Sequence, residues 1–184
     1  MEYTPLSIPN VVLITPKVFG DERGFFLETF RQSEFEQHCG PWQFVQDNHS
    51  LSAQGILRGL HYQLQKPQGK LVRVTRGEVF DVAVDMRRSS LTFGKWVGAT
   101  LSAANKQMLW VPPGFAHGFY VTSDEAEFQY KCTDYYNPGD EYSIRWDDPS
   151  LAIQWPLAHG SKPRLSEKDA SGRLFADAPA FFAS

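Results

Sequence analysis

The chain has 184 residues, enough for one domain spanning 1–184 with a sizeable buried core. A net charge of −3 and a pI near 5.9 exclude a global basic field that would gather nucleic acid, yet leave room for a small anionic ligand held by a few local cations. Two cysteines, Cys39 and Cys132, make neither a disulfide framework nor a metal-ligand spacing, and read as reduced thiols.

Met1–Asn10 has neither a basic start nor an apolar run, so no signal peptide is read there. No stretch approaches the roughly 18 apolar residues of a membrane span. The expectation is a cytoplasmic protein without membrane or nucleic-acid partners. Along the chain, Val11–Thr15 is a β-branched run and a predicted strand. Gly20-Asp21-Glu22-Arg23-Gly24 is turn chemistry leading into an aromatic strand, Phe25–Phe30. Ser33 and Glu36 fit a capping box, which predicts a short helix over Ser33–His38. Gln43–Ser52 and Ile56–Gln65 read as strands. Leu71–Thr75 and Val79–Asp85 flank Arg76-Gly77-Glu78 and read as a hairpin. Within the second of these, Phe80, Val82 and Val84 alternate with Asp81, Ala83 and Asp85, as in a sheet with one buried face. Trp96–Leu101, Gln107–Val111, Gly118–Thr122 and Glu127–Thr133 continue the series. Beyond Trp146 the pattern weakens, and Pro149, Pro156 and Pro163 punctuate a coil-rich tail expected to pack across the sheets. An aromatic share of 14%, many short strands and hardly any helix predict an all-β sandwich or jelly roll with a few short helices.

Such a roll can enclose a cavity between its sheets, where small-molecule sites are favoured. Leu57–Lys70 carries Arg58, His61 and Lys70 in one short segment. Gly59 removes a side chain two residues before His61, which would open space in front of the imidazole. Simple alternation sets Arg58 and His61 on opposite faces, so either a bulge at Gly59 or a contribution of Arg58 to another part of the cleft must reconcile them. The plain alternative is a hairpin with solvated cations. His61 and His117 sit in strands or strand entrances beside glycines, whereas His38, His49 and His159 lie in polar or looped surroundings. Tyr130 could face a polar cavity and move a proton, or simply pack. Arg23, Arg58, Lys70 and Lys168 could hold phosphate or remain surface charges. Asp169 reads by default as a surface or helix-end acid, and becomes interesting only if it orients an imidazole.

Several blocks together carry a resemblance. Pro112–Phe119, PPGFAHGF, is similar to the second cupin motif, with Pro112, Gly114 and His117 in place. ERGFFLETF at Glu22–Phe30, QDNHS at Gln46–Ser50, RGLHYQ at Arg58–Gln63, KLVRVTRGEVFDVAVDMR at Lys70–Arg87, YKCTDYYNPGDE at Tyr130–Glu141 and LSEKD at Leu165–Asp169 narrow it. In this order they resemble the dTDP-4-dehydrorhamnose 3,5-epimerase family of cupin-type sugar-nucleotide epimerases, from about Phe19 to Asp169.

The resemblance implies the double-stranded β-barrel form of such a roll, and a cofactor-free isomerase acting in dTDP-L-rhamnose synthesis. It would invert C3 and C5 of dTDP-4-dehydro-6-deoxy-D-glucose through an enolate. His61 would be the base, Asp169 its orienting carboxylate, Tyr130 the acid and Lys70 the enolate's counter-charge. Arg23 and Arg58 would meet the diphosphate. Glu28, Gln46 and Asn48 would contact the nucleotide, Tyr136 would stack on thymine and His117 would line the sugar pocket. Glu141 and Lys168 would complete the nucleotide end. A homodimer is implied in which N-terminal segments complete the neighbouring site, so Arg23 and Glu28 would act across the interface. Metal cupins carry His-x-His where this chain has His61-Tyr62-Gln63, so no metal is expected. A C3-only or C5-only epimerase, a 3,4-ketoisomerase, a metal-dependent cupin oxygenase and a non-enzymatic sugar-nucleotide binder are the rivals.

Overall fold

In the computed structural model, residues 1–158 and 161–182 are described. His159, grouped above with the loop histidines, lies outside them. The strands are β1 (Glu2–Pro5), β2 (Val12–Thr15), β3 (Val18–Asp21), β4 (Gly24–Leu27), β5 (Gln46–Ala53), β6 (Leu57–Gln63), β7 (Lys70–Arg76), β8 (Glu78–Asp85), β9 (Trp96–Ser102), β10 (Met108–Val111), β11 (Phe115–Val121), β12 (Glu125–Cys132) and β13 (Glu141–Ser143). Helices α1 (Gln32–Cys39) and α2 (Glu167–Ala170) are short.

Two antiparallel sheets face each other, ordered β1-β2-β10-β7-β12-β5 and β13-β6-β11-β8-β9. This is the sandwich expected of a jelly roll. The core between them joins Val72, Val74, Leu109 and Phe128 of the first sheet to Val79, Ala83, Leu101 and Phe119 of the second. Phe119 and Phe128 stack across the gap with centroids 4.1 Å apart. Truncating a core phenylalanine of this kind costs about 3–5 kcal/mol.

Both outer faces are also covered. Phe35 of α1 packs with Ile14, Leu71 and Trp110 on the first sheet. The C-terminal tail lays Leu151, Trp155, Phe175 and Ala178 over Val82, Val84 and Phe80 on the second, as the weakening pattern beyond Trp146 predicted. The alternation in β8 therefore sorts two buried faces rather than one buried and one wet: Asp81 and Asp85 are fully buried.

Two local expectations are corrected. Leu71–Thr75 and Val79–Asp85 do not form a hairpin, because β7 and β8 lie in different sheets. Gly77, at φ 72°, turns the chain from one layer to the other, and a Cβ there would strike the Glu125 carbonyl. The capping box does not form either. The helix starts one residue earlier, with Arg31 as N-cap and no side-chain cap, while Gln32 Nε2 donates to Glu36 Oε1 at 2.6 Å. The aromatic strand is shorter than Phe25–Phe30, and β3 and β4 form a separate two-stranded hairpin with Phe19, Phe25 and Phe26 exposed.

Candidate active site

The period of two decides which side chains look into the sandwich. On β7 Lys70 shares the inner face with Val72 and Val74. On β12 Tyr130 shares it with Phe128, and on β11 His117 shares it with Phe119. On β5 Gln46, Asn48 and Ser50 look inward. Together with Arg58 and His61 these residues line a cleft of about 540 Å³ at one end of the sandwich. Tyr136, Glu141, Ser166, Lys168 and Asp169 close its rim.

Arg58 reaches this cleft through a bulge. His61 pairs with His117 but Arg58 pairs with Phe119, so β6 holds one more residue than β11 over that span. The extra residue turns Arg58 onto the face of His61. Gly59 and Gly118 make this possible by close approach. A Cβ on Gly59, at φ 123°, would lie 2.5 Å from Gly118 Cα, and one on Gly118 would lie 2.6 Å from the Arg58 carbonyl oxygen. Gly59 thus clears room for the facing backbone rather than for the front of the imidazole. Arg58 Nε donates to Ser52 Oγ at 2.9 Å.

Asp169 reaches His61 across 108 residues of chain, with Nε2 and Oδ1 2.5 Å apart. The tail is pinned on both sides of α2. Leu57 N donates to the Arg164 carbonyl before it, and Arg173 N donates to the Ser143 carbonyl after it. Ser166 caps the helix and its hydroxyl donates to Asp169 Oδ2 at 2.8 Å. Asp169 is buried, not the surface acid of the default reading. Burial pushes its carboxyl pKa up, but the bonds from His61 and Ser166 and the charge of Lys168 more than reverse this, leaving it below the usual carboxylate range.

The other nitrogen of His61, Nδ1, turns to the cleft and lies 3.9 Å from Glu141 Oε1. Glu141 Oε2 accepts from Lys168 Nζ at 2.7 Å and from the Tyr136 hydroxyl at 2.9 Å. The Lys70 ammonium makes no hydrogen bond or ion pair among the described residues. Burial lowers its pKa, against the opposing pull of Cys132, Glu141 and Asp81. Burial likewise pushes the Tyr130 hydroxyl up to about 12, Cys132 and Glu141 adding to it and Arg58 opposing. His117 pairs with buried Asp81 through Nε2, at 2.9 and 3.0 Å from the two carboxylate oxygens.

Eleven of the thirteen candidate residues thus surround one cleft. Arg23 and Glu28 do not. Arg23 projects from the β3–β4 hairpin beside Asp21, and Glu28 pairs with Arg31 at 2.8 Å. Ser166 and Asp81 were missed as partners of the two histidines. A serine three residues before Asp169 is a visible capping signal, and an aspartate inside an apolar strand run signals a buried acceptor. Gln63, where metal cupins place a histidine, is buried and braces two rim loops: its Nε2 donates to the Lys66 and Tyr135 carbonyls and its Oε1 accepts from Asn137 N. Among the described residues no three His, Cys, Asp or Glu side chains gather as a metal would need.

An inward imidazole buttressed by a buried carboxylate, facing a lysine and a tyrosine, can take a proton from a carbon acid and hold the resulting oxyanion. The family model described as dTDP-4-dehydrorhamnose 3,5-epimerase matches residues 5–177. The chain belongs to this family. It is 60% identical to the dTDP-4-dehydrorhamnose 3,5-epimerase of Pseudomonas aeruginosa over 98% of this chain and 99% of that one. Its fold superposes with a TM-score of 0.95 on a dTDP-6-deoxy-D-glucose-3,5-epimerase of Legionella pneumophila solved with dTDP-4-keto-L-rhamnose, at 51% identity, covering 100% and 98% of the two chains. A 3′-monoepimerase of Streptomyces bikiniensis, solved with dTDP-quinovose, is also similar, at 34% identity and a TM-score of 0.86 over 94% and 87%. Membership makes the chain an isomerase of the cupin-like epimerase class. No described helix is long and apolar enough to cross a membrane.

Proposed function

We propose that the protein inverts C3 and C5 of dTDP-4-dehydro-6-deoxy-D-glucose to give dTDP-4-dehydro-L-rhamnose. The observation that carries this reading is the His61–Asp169 pair opening onto Lys70 and Tyr130 in one cleft. Both C–H bonds flank the C4 ketone. His61 Nδ1 takes the proton, and the electron pair moves onto the ketone oxygen as an enolate beside Lys70. Tyr130, on the opposite sheet, returns a proton to the other face. A contact such as that of Lys70 with the enolate contributes about 2.7–4 kcal/mol to lowering the barrier. Asp169 holds the imidazole tautomer and stabilises the imidazolium. His117 lines the sugar end.

Arg58 meets the diphosphate, while Gln46, Asn48, Tyr136, Glu141 and Lys168 hold the nucleotide. Tyr136 is exposed at the rim, where a planar base can stack on it. The protein works as a homodimer in which the β3–β4 hairpin of a second copy brings Arg23 to the diphosphate and Glu28 to the nucleotide. Support comes from their absence among the residues that line the cleft of their own chain and from the exposed rings of Phe25 and Phe26, 64% and 71% accessible. Residues 1–184 act as one domain, and every step runs on protein side chains.

The test is incubation with the 4-keto sugar nucleotide in D2O. Deuterium should enter at both C3 and C5. Entry at C3 alone would make the protein a mono-epimerase, and no entry would refute proton abstraction altogether. Tyr130→Phe should still exchange protons but fail to invert normally.

A further inference from the structure

Inverting two centres with one base and one acid leaves the site in the wrong protonation state after each inversion. The C–H bond breaks and an N–H bond forms on His61. The Tyr130 O–H bond then breaks and a new C–H bond forms. His61 is left as imidazolium and Tyr130 as phenolate. Before the second centre can react, His61 must lose a proton and Tyr130 must gain one. A proton cannot leave on the Asp169 side, because Asp169 is buried, and its second oxygen is occupied by the Ser166 hydroxyl.

We propose that Glu141 is the proton exit of the site, relaying the proton from His61 Nδ1 to solvent between the two inversions. This rests on His61 being the base, as proposed above. Glu141 Oε1 stands 3.9 Å from Nδ1, a gap that one water or a small side-chain shift closes. Its position is fixed by the strand: Glu141 pairs with Gln63 and Ser143 with His61 in β13 and β6. Its other oxygen is bonded to two rim groups that reach water, Lys168 Nζ at 2.7 Å and the Tyr136 hydroxyl at 2.9 Å. Glu141 itself is only 12% accessible. It is thus the one carboxylate among the described residues that stands within 4 Å of the cleft nitrogen of the base and is bonded to the wet rim.

The proton balance closes without a co-reactant. The His61 N–H bond breaks, an O–H bond forms on Glu141, the carboxyl passes the proton to rim water, and the Tyr130 phenolate takes one from water in the cleft. Burial raises the Glu141 carboxyl, but Lys168, His61 and the Tyr136 hydroxyl more than offset this and hold it below the usual range, so it does not retain the proton. Tyr130, pushed up to about 12, recovers its own readily.

The test compares wild type with Glu141→Gln on the 4-keto sugar nucleotide in D2O, following product by rapid quench. Wild type should give doubly inverted, doubly deuterated product with little singly inverted sugar. Glu141→Gln should complete the first inversion in a burst. It should then accumulate singly inverted sugar, with kcat at least tenfold lower and KM changed less. Formate or acetate should restore kcat in proportion to its concentration. A rise in KM with kcat intact, or a loss of kcat that small carboxylates do not restore, would overturn the relay and leave Glu141 as a nucleotide contact. Wild type that incorporates no deuterium would refute the epimerase reading instead. If the glutamine variant does not fold, the same carboxylate rescue is read on Glu141→Asp, whose shorter side chain widens the gap to His61. Unchanged kcat in that variant overturns the proposal.

Discussion

Two histidine–carboxylate pairs lie in the same sandwich and differ in almost everything but composition. His117 and Asp81 sit on neighbouring strands, 36 residues apart, and both are buried, at 7% and 0% accessible. Both carboxylate oxygens close on one imidazole nitrogen. His61 and Asp169 meet across 108 residues, through a tail helix, and the His61 side chain keeps 21% of its surface open to the cleft. Only one oxygen of Asp169 serves its imidazole, and the free nitrogen looks out toward Glu141. Burial dominates at Asp81 and raises its carboxyl pKa despite His117 and Lys70. At Asp169 burial pulls the same way, but the bonds to His61 and Ser166 prevail and lower it. One pair is closed on itself in the cleft wall, and the other leaves a ring nitrogen open to the cleft. An imidazole–carboxylate contact alone therefore does not distinguish the two pairs; the open nitrogen does.

The sharpest way to break that contrast is His61→Asn, which should lower kcat by on the order of 10⁴ while His117→Asn costs less than about tenfold in the folded protein. Comparable losses would put His117 in the chemistry. Next, Asp169→Asn should cost roughly 10²–10³ in kcat, since the imidazole keeps its place but loses the charge that stabilises its protonated form. Asp81→Asn should act on stability instead, by about 1–3 kcal/mol in denaturant unfolding, with kcat of the folded fraction near wild type.

The smallest and most diagnostic effect is the pH dependence of those stability differences. Asp169 has a lowered folded pKa, so its contribution is full above the unfolded carboxylate pKa and is lost as pH falls through the folded value. The advantage of wild type over Asp169→Asn should shrink toward acid. Asp81 has a raised folded pKa, so its contribution is full at low pH and is lost as pH rises through the folded value. The advantage over Asp81→Asn should shrink in the opposite direction. Parallel slopes would mean that the two carboxylates are not distinct.

What the sequence made legible follows from the period of two. Lys70, Tyr130 and His117 each share parity with core residues of their own strand, so the face follows once the strand is recognised. What stayed hidden depends on long-range choices. Nothing local tells Arg76-Gly77-Glu78 to cross between sheets rather than fold a hairpin, because Gly77 serves either turn. Nothing near Asp169 announces its contact with His61; only the pinning of Arg164 and Arg173 against the sheet creates it. The capping box at Ser33 failed because Phe35 anchors α1 on the sheet and the helix begins where that packing allows. Glu28 came from family likeness alone and Arg23 from its charge and that likeness, and their own chain gives neither a place lining the cleft.

The bulge at Gly59 has a consequence for how such sites diversify. Because strand parity sorts the residues, the one additional residue of β6 acts as an index that sets Arg58 and His61 on a common side. Removing that single residue would leave His61 where it is and retire Arg58 to the far face, without any change of side-chain chemistry. Chain length at one position is then a dial for what the cleft can grip. The paired glycines hold that setting, since no larger residue fits at either one while the strands remain together.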